Sequence, residues 1–222
     1  MEVRSKVVIE KVQSLAEQAY DRLEALIVTL ELKPGRVYSE TELGSAIDIG
    51  RTPMREALQR LAIERLVTTI PRKGVMITDV NISEHLSLLE TRRALDRLIA
   101  MKAARRANPD HREELRQCSD AIRTAAEEGD VAGFMRLDRQ FDAILSEASR
   151  NNFAVRAVEP LHAHCRRFWY MYQGNRDLRE SAGLHGELMT AVADKDEASA
   201  GVASDRLMDY LDAFTRSALD LD

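Results

Sequence analysis

From Ser14 to Leu30 the apolar side chains return every three or four positions, with Leu15, Ala19, Leu23, Leu26, Ile27 and Leu30 on one stripe. That is the spacing of an amphipathic helix. Lys33-Pro34-Gly35 ends it. Ser39-Glu40-Thr41-Glu42 has the form of a capping box, Ser39 as the cap and Glu42 reaching back, and predicts a short helix to Ile47. Asp48-Ile49-Gly50 makes a tight connection. Thr52-Pro53 reads as an N-cap followed by proline at the first helical position, and so starts a third helix that runs to Arg65. The period then changes. Leu66–Ile70 and Val75–Thr78 are rich in β-branched residues and flank the turn Pro71-Arg72-Lys73-Gly74, the signature of a hairpin. A helix, two more joined by a short turn, and a hairpin follow the order of a winged helix-turn-helix.

From Asn81 onward the β signals vanish. Helices are predicted over 82–106, 110–127, 131–149, 152–173, 181–193 and 197–219, with breaks at Asn108-Pro109, Glu128-Gly129-Asp130, Asn151-Asn152, Gly174-Asn175 and Asp194-Lys195-Asp196. The fold class is therefore mainly α. A winged helix-turn-helix with a small β-hairpin takes residues 1–80, and an all-α bundle of about six helices takes 81–222. No repeat or low-complexity linker separates them, so the two domains join closely near residues 79–82.

Composition narrows the class. The 222 residues are 45% hydrophobic and 31% charged, ordinary for a globular protein. No run approaches the roughly 18 apolar residues of a membrane-spanning helix. The first twenty residues hold no apolar signal core, and Cys118 and Cys165 match no metal or redox spacing. Together these give the expectation of a cytoplasmic protein with no membrane partner. The net charge of −5 is unevenly placed: residues 1–80 carry 12 basic and 12 acidic side chains, so the excess lies wholly in 81–222. Between Arg51 and Lys73 six basic residues face only Glu56 and Glu64, a local footprint suited to nucleic acid as well as to a solvated helix.

On the third helix Met54, Ala57, Leu58 and Leu61 form an apolar arc, while Arg51, Thr52, Arg55 and Gln59 fall on another. These are side chains that bond phosphates and base edges. Arginines in a first helical turn oppose the helix dipole, costing about 0.3–1 kcal/mol each, unless an anion is supplied there. Arg72-Lys73-Gly74 at the hairpin tip fits a wing reaching toward DNA, or a plain basic turn.

These residues carry a family likeness. Leu32-Lys33-Pro34-Gly35, Ser39-Glu40, Glu42-Leu43, Arg51-Thr52-Pro53, Arg55-Glu56-Ala57-Leu58 and Gly74 resemble the DNA-binding domain of the GntR family of regulators over residues 14–80. The resemblance implies DNA contacts from Arg51, Thr52 and Arg55, joined by Gln59, Ser39, Arg72, Lys73 and Gly74. Gly50 departs from the family, which carries Ser or Thr there.

The second domain resembles the all-helical effector domain of the FadR-like branch. Thr91-Arg92-Arg93-Ala94-Leu95-Asp96 matches its first helix. Leu137-Asp138-Arg139-Gln140-Phe141-Asp142 with Ala148-Ser149-Arg150-Asn151 matches a second motif, and Leu184-His185-Gly186-Glu187-Leu188 a later one. Six helices rather than seven look more like the smaller VanR-type members. The resemblance implies a divalent metal, Zn, Ni or Mn, held by one Asp and three His. Here Asp138 and His185 stand in place, Asp142 replaces one histidine and Leu207 another. Asp138, Asp142 and His185 are then the candidate ligands, or polar lining of a metal-free pocket. Arg92 suits the carboxylate of a small organic acid, or a structural ion pair with Asp138 or Asp142. His162, His164, Trp169, Tyr170 and Tyr172 sit at the spacing of core aromatics and are read as no more than pocket lining.

The expectation is a ligand-responsive, homodimeric transcription regulator, a repressor, that binds an inverted-repeat operator in double-stranded DNA and senses a small organic acid through Arg92, Asp138, Asp142 and His185. It is not expected to be an enzyme. The alternative is a metal-dependent enzyme or metal-binding helical protein acting on a small carboxylic acid, against which stands the lack of a nucleophile motif or a phosphate-binding loop.

Overall fold

The structure is a computed structural model that describes residues 13–174 and 178–219. The stretch read as lacking a signal core lies outside the described residues as far as residue 12, as does Asn175 of the predicted break. The chain divides into two compact units, residues 1–79 and 80–222.

In the first unit helix α1 (Leu15–Val28) is followed by strand β1 (Val37–Tyr38), helices α2 (Glu40–Ile47) and α3 (Arg51–Ile63), and strands β2 (Val67–Ile70) and β3 (Gly74–Ile77). Capping boxes start α1, at Ser14 with Glu17, and α2, at Ser39 with Glu42. Each satisfies two backbone N–H groups that a helix start leaves orphaned. α1 packs on α3, with Ala19, Leu23 and Ile27 meeting Met54, Leu58 and Leu61 in a buried core. Each large aliphatic side chain buried there contributes about 1.5–3 kcal/mol. Leu15, placed on that stripe by the periodicity, is instead 60% exposed, and Tyr20 is buried beside Leu23.

The sheet order is β1-β3-β2, antiparallel throughout, with Tyr38 opposite Val75 and Ile70 opposite Gly74. β1 has no counterpart in the sequence reading. The Ile77 carbonyl accepts from Gly35 N at 2.8 Å and the Ile77 N–H donates to the Arg36 carbonyl at 3.1 Å, so the turn after α1 is tied to the wing. The start of α3 also differs from expectation. Its N-cap is Gly50, and Pro53 is the third helical residue, where the missing N–H would have had no intrahelical partner.

The second unit is a bundle of α4 (Ile82–Arg106), α5 (Pro109–Glu128), α6 (Val131–Ser149), α7 (Asn152–Tyr172), α8 (Arg179–Ala193) and α9 (Glu197–Leu219). Asn81, Asn108, Asp130 and Asn151 each cap the helix that follows. Gly129 and Arg150 close α5 and α6 in the left-handed conformation. Two-residue connections join α4 to α5, α5 to α6 and α6 to α7. α4 packs against α6, α7, α8 and α9, so it is the axis of the bundle. Its inward side is mixed, with buried Leu89 and Ile99 sharing the face with buried His85 and Arg92. No helix among the described residues is long and apolar enough to cross a membrane.

Candidate functional site

Two sites emerge, one in each unit. In the first, Arg51, Thr52, Arg55 and Gln59 all stand exposed along α3. A groove runs between the start of α2, α3 and the hairpin tip, and Ser39, Arg55, Gln59, Arg72, Lys73 and Gly74 line it. All eight residues expected to meet DNA are thus either in this groove or at the exposed start of α3. Gly50 offers α3 no side-chain cap and its first turn holds no acid, so the free N–H groups there suit an anion. Nothing lies within 4 Å of where a Cβ at Gly50 would be, so the family's hydroxyl residue would fit. Arg55 is not free: its guanidinium donates to Glu40 across the groove at 2.7 Å, with 61% of the side chain exposed. The bond holds Arg55 in its charged form.

Gly74 stands apart from the other seven. Its φ is +127°, and a Cβ there would run into the carbonyl oxygen of Tyr38. The close approach of β1 to β3 requires glycine, which gives this position a structural reason independent of any DNA contact.

In the second unit the side chains at three- and four-residue spacing on five helices converge on one small cavity of about 40 Å³. α4 supplies Arg92, α6 supplies Asp138 and Asp142, α7 supplies His162, Arg166 and Trp169, α8 supplies His185, and α9 supplies Leu207. Arg92, Asp138, Asp142 and His185 are therefore brought together as expected. Arg92, however, pairs with neither Asp138 nor Asp142. Its Nε donates to Asp96 Oδ2 at 2.9 Å, one turn along α4, and it is 8% exposed.

His162 bridges two carboxylates, Nε2 lying 2.8 Å from Asp96 Oδ1 and Nδ1 lying 3.0 Å from Asp142 Oδ2. Both ring nitrogens face acceptors, so both must be donors and the ring is an imidazolium. Burial opposes that charge, but Asp142 and Asp96 outweigh it and push the pKa up to about 9. Arg166 Nη1 lies 2.8 Å from Asp142 Oδ2 and 3.6 Å from Asp138 Oδ2. His185 donates through one nitrogen to the Ser181 carbonyl at 2.7 Å and meets Asp138 Oδ1 at 3.0 Å through the other. Burial also opposes a charge on His185, yet its pKa is raised, chiefly by the bond to Asp138. Burial likewise works against the carboxylates of Asp96 and Asp142, and their cationic neighbours still hold them below the ordinary carboxylate range. For Asp96 these are Arg92 and His162; for Asp142 they are His162, Arg166 and Arg92.

These contacts bear on the expected metal site. Asp138, Asp142 and His185 line one cavity, but among the described residues no three His, Cys, Asp or Glu groups are placed to hold an ion. Arg166 stands between the two carboxylates, His185 spends its inward nitrogen on Asp138, and Leu207 brings no donor. The residues present do not fit the group, and the metal-dependent enzyme loses the ligand trio on which it rested. His162 and Arg166, which the sequence reading passed over as ligand-handling groups, are central. Their signal was present: His162 and Arg166 are an i,i+4 pair, matching the i,i+4 pair Asp138 and Asp142 on another helix.

An exposed cationic helix with a wing, followed by a helical bundle around a charged cavity, is the architecture of a DNA-binding transcription regulator with a second, helical unit. Residues 15–77 match the bacterial regulatory proteins of the gntR family, and residues 87–210 match the FCD domain. The chain belongs to the GntR family of bacterial regulatory proteins, among the members that carry an FCD domain. It is similar to the Nta operon transcriptional regulator of Aminobacter aminovorans, 27% identical over 80% of this chain and 84% of that protein. It is also similar to the HTH-type transcriptional repressor RspR of Escherichia coli K12, at 27% over 72% of this chain and 70% of that one. Among solved structures the fold is similar to E. coli McbR/YncC, with a TM-score of 0.81 at 21% identity over 93% of this chain and 99% of that one. It also resembles a GntR regulator from Rhodococcus sp. RHA1, with a TM-score of 0.71 at 19% identity and the same coverage of both chains.

Proposed function

We propose that this protein is a repressor that binds an inverted-repeat operator as a homodimer and is switched by a small organic acid held in the helical unit. The observation that carries the reading is the buried cluster of two guanidiniums and an imidazolium around the cavity, set against aromatic and aliphatic walls. Guanidiniums in a bundle interior are costly to desolvate, and that cost is offset only by anions at close range. Here aspartates supply them, and a ligand carboxylate of the same geometry competes for the same cations. The residues from Arg51 to Gln59 with Arg72 and Lys73 supply the DNA contacts, and a two-fold dimer presents two reading helices to successive major grooves. The repressor sign draws on the relative RspR, which carries that description.

Gel-shift titration of DNA flanking the protein's own gene tests the reading, with short mono- and dicarboxylic acids added in turn. Specific retardation that one acid relieves is the expected result. Retardation that no acid alters, with no acid raising the melting temperature, would remove the sensing half. No sequence preference over random duplex would remove the other.

A further inference from the structure

The cluster lining the cavity has the wrong charge for a divalent ion and the right one for something else. Asp142 has two cationic partners, His162 at 3.0 Å and Arg166 at 2.8 Å. Asp96 likewise has two, Arg92 at 2.9 Å and His162 at 2.8 Å. Asp138 has His185 at 3.0 Å and Arg166 at 3.6 Å. Every carboxylate on the cavity wall is therefore already met by cations. The Arg166 guanidinium, which never loses its charge, occupies the point from which both Asp138 and Asp142 are reached. A divalent ion at that point would have to expel Arg166, whose side chain is only 11% exposed, or sit beside it against strong repulsion at low local dielectric.

We propose that Arg166 serves as the resident cation of this pocket in place of a divalent metal, and that an anionic effector binds by taking the place of Asp142 on the Arg166 guanidinium. This rests on the helical unit being the effector site. The exchange leaves Asp142 with a cationic partner, because it keeps His162 when it lets Arg166 go. Asp138 keeps His185 in the same way. Release of Arg166 thus strands neither Asp138 nor Asp142, and a carboxylate, sulfonate or phosphate monoester meets it as a planar or forked partner. Selectivity for the acid group is then set by a fixed fork of donors rather than by the coordination geometry of an ion.

The test uses the untagged full-length protein with its single tryptophan, Trp169, which lines the cavity and reports on it directly. Wild type and the Arg166→His and Asp138→Asn variants are dialysed against Zn²⁺, Ni²⁺ or Mn²⁺ alone. Metal content, melting temperature and Trp169 emission are then read. The expected result is a wild type that retains no stoichiometric metal and shows no shift, and an R166H protein that takes up about one ion per chain with a change in Trp169 emission. A wild type holding about one ion per chain, lost in D138N, overturns the proposal. An R166H protein as metal-free as wild type overturns the role given to Arg166. The exchange itself is read with acetate, glutarate and benzoate on wild type and on Arg166→Lys, scored by Trp169 emission. A ten-fold or greater weakening in the lysine variant supports it, and equal affinity refutes it. None of these readouts uses DNA, so a failed operator experiment and a failed metal experiment are told apart.

Discussion

Arg55 on the reading helix donates to Glu40 at the start of the preceding helix, 2.7 Å away across the groove that the wing completes. Both side chains are substantially exposed, so the pair adds little to stability. Its effect falls on the orientation of Arg55 and on the local potential.

That pairing makes the two residues separable. Arg55→Ala is expected to weaken operator binding by about 1–3 kcal/mol and to lower the salt dependence, with the melting temperature unchanged. Glu40→Gln is expected to tighten binding to random duplex several-fold while narrowing the preference for operator. Fluorescence anisotropy against operator and scrambled duplex at several salt concentrations checks both. An unaltered preference in Glu40→Gln would mean that Glu40 does not aim Arg55.

Gly74→Ala places a methyl group against the Tyr38 carbonyl at a φ of +127°. We expect a loss of roughly 1–3 kcal/mol, felt in the first unit alone. Hydrogen exchange should show the β1–β3 amides opening while the α4–α9 amides keep their protection. Equal protection throughout would contradict the packing reason for this glycine.

Removing Arg92 leaves Asp96 buried with His162 as its remaining cationic partner. Arg92→Ala is expected to destabilise the second unit by about 3–5 kcal/mol, the range for breaking a buried pair from one side. Adding Asp96→Asn should recover part of that loss, and denaturant unfolding of the two variants measures it. If the single and double variants are equally destabilised, the Arg92–Asp96 bond is not what the cost reflects.

Two histidines pull stability in opposite directions with pH. Burial against Phe168, whose ring stacks on His85 at 3.9 Å, together with Arg92 and His164 lowers the His85 pKa to about 3. Below the ordinary histidine pKa of about 6.5 the unfolded chain gains a proton that the native state refuses, so stability falls, by roughly 2 kcal/mol at pH 5. His162, raised to about 9, does the reverse. Its contribution is fully present below pH 6.5 and is lost as the pH climbs to about 9, on the order of 3 kcal/mol in all. Melting curves from pH 5 to pH 9 should therefore peak near pH 6.5. His85→Phe should flatten the acid limb and His162→Gln the alkaline one, and a level profile in wild type would refute both assignments.

The helical unit was legible almost to the residue, because its boundaries are written in side chains that cap. Asn81, Asp130 and Asn151 each accept from the backbone three residues on, and the helices start where those residues stand. The misreadings have physical reasons too. β1 is two residues long and is defined by its partners Val75 and Met76, far along the chain, which no local pattern reveals. Thr52-Pro53 imitates a helix start because proline is tolerated anywhere in the first turn, and Gly50 caps without a side chain. For the site, it was the family resemblance that singled out Arg92, Asp138, Asp142 and His185, and the structure places all four on the wall of one cavity. The resemblance carried no information on which cation meets which acid. That is settled by where α7 crosses, and so Arg166 escaped notice and His162 was read as no more than pocket lining.

A cavity of about 40 Å³ has room for a few water molecules and for no metabolite. On the sensing role proposed above, an effector would enter only as the side chains lining this cavity move apart, so a motion of the protein would precede the bound state. Once closed over, the effector would leave as slowly as the bundle reopens. Under that proposal the regulator would average over brief surges of its signal and respond to sustained supply, a filter in time that no equilibrium constant would disclose.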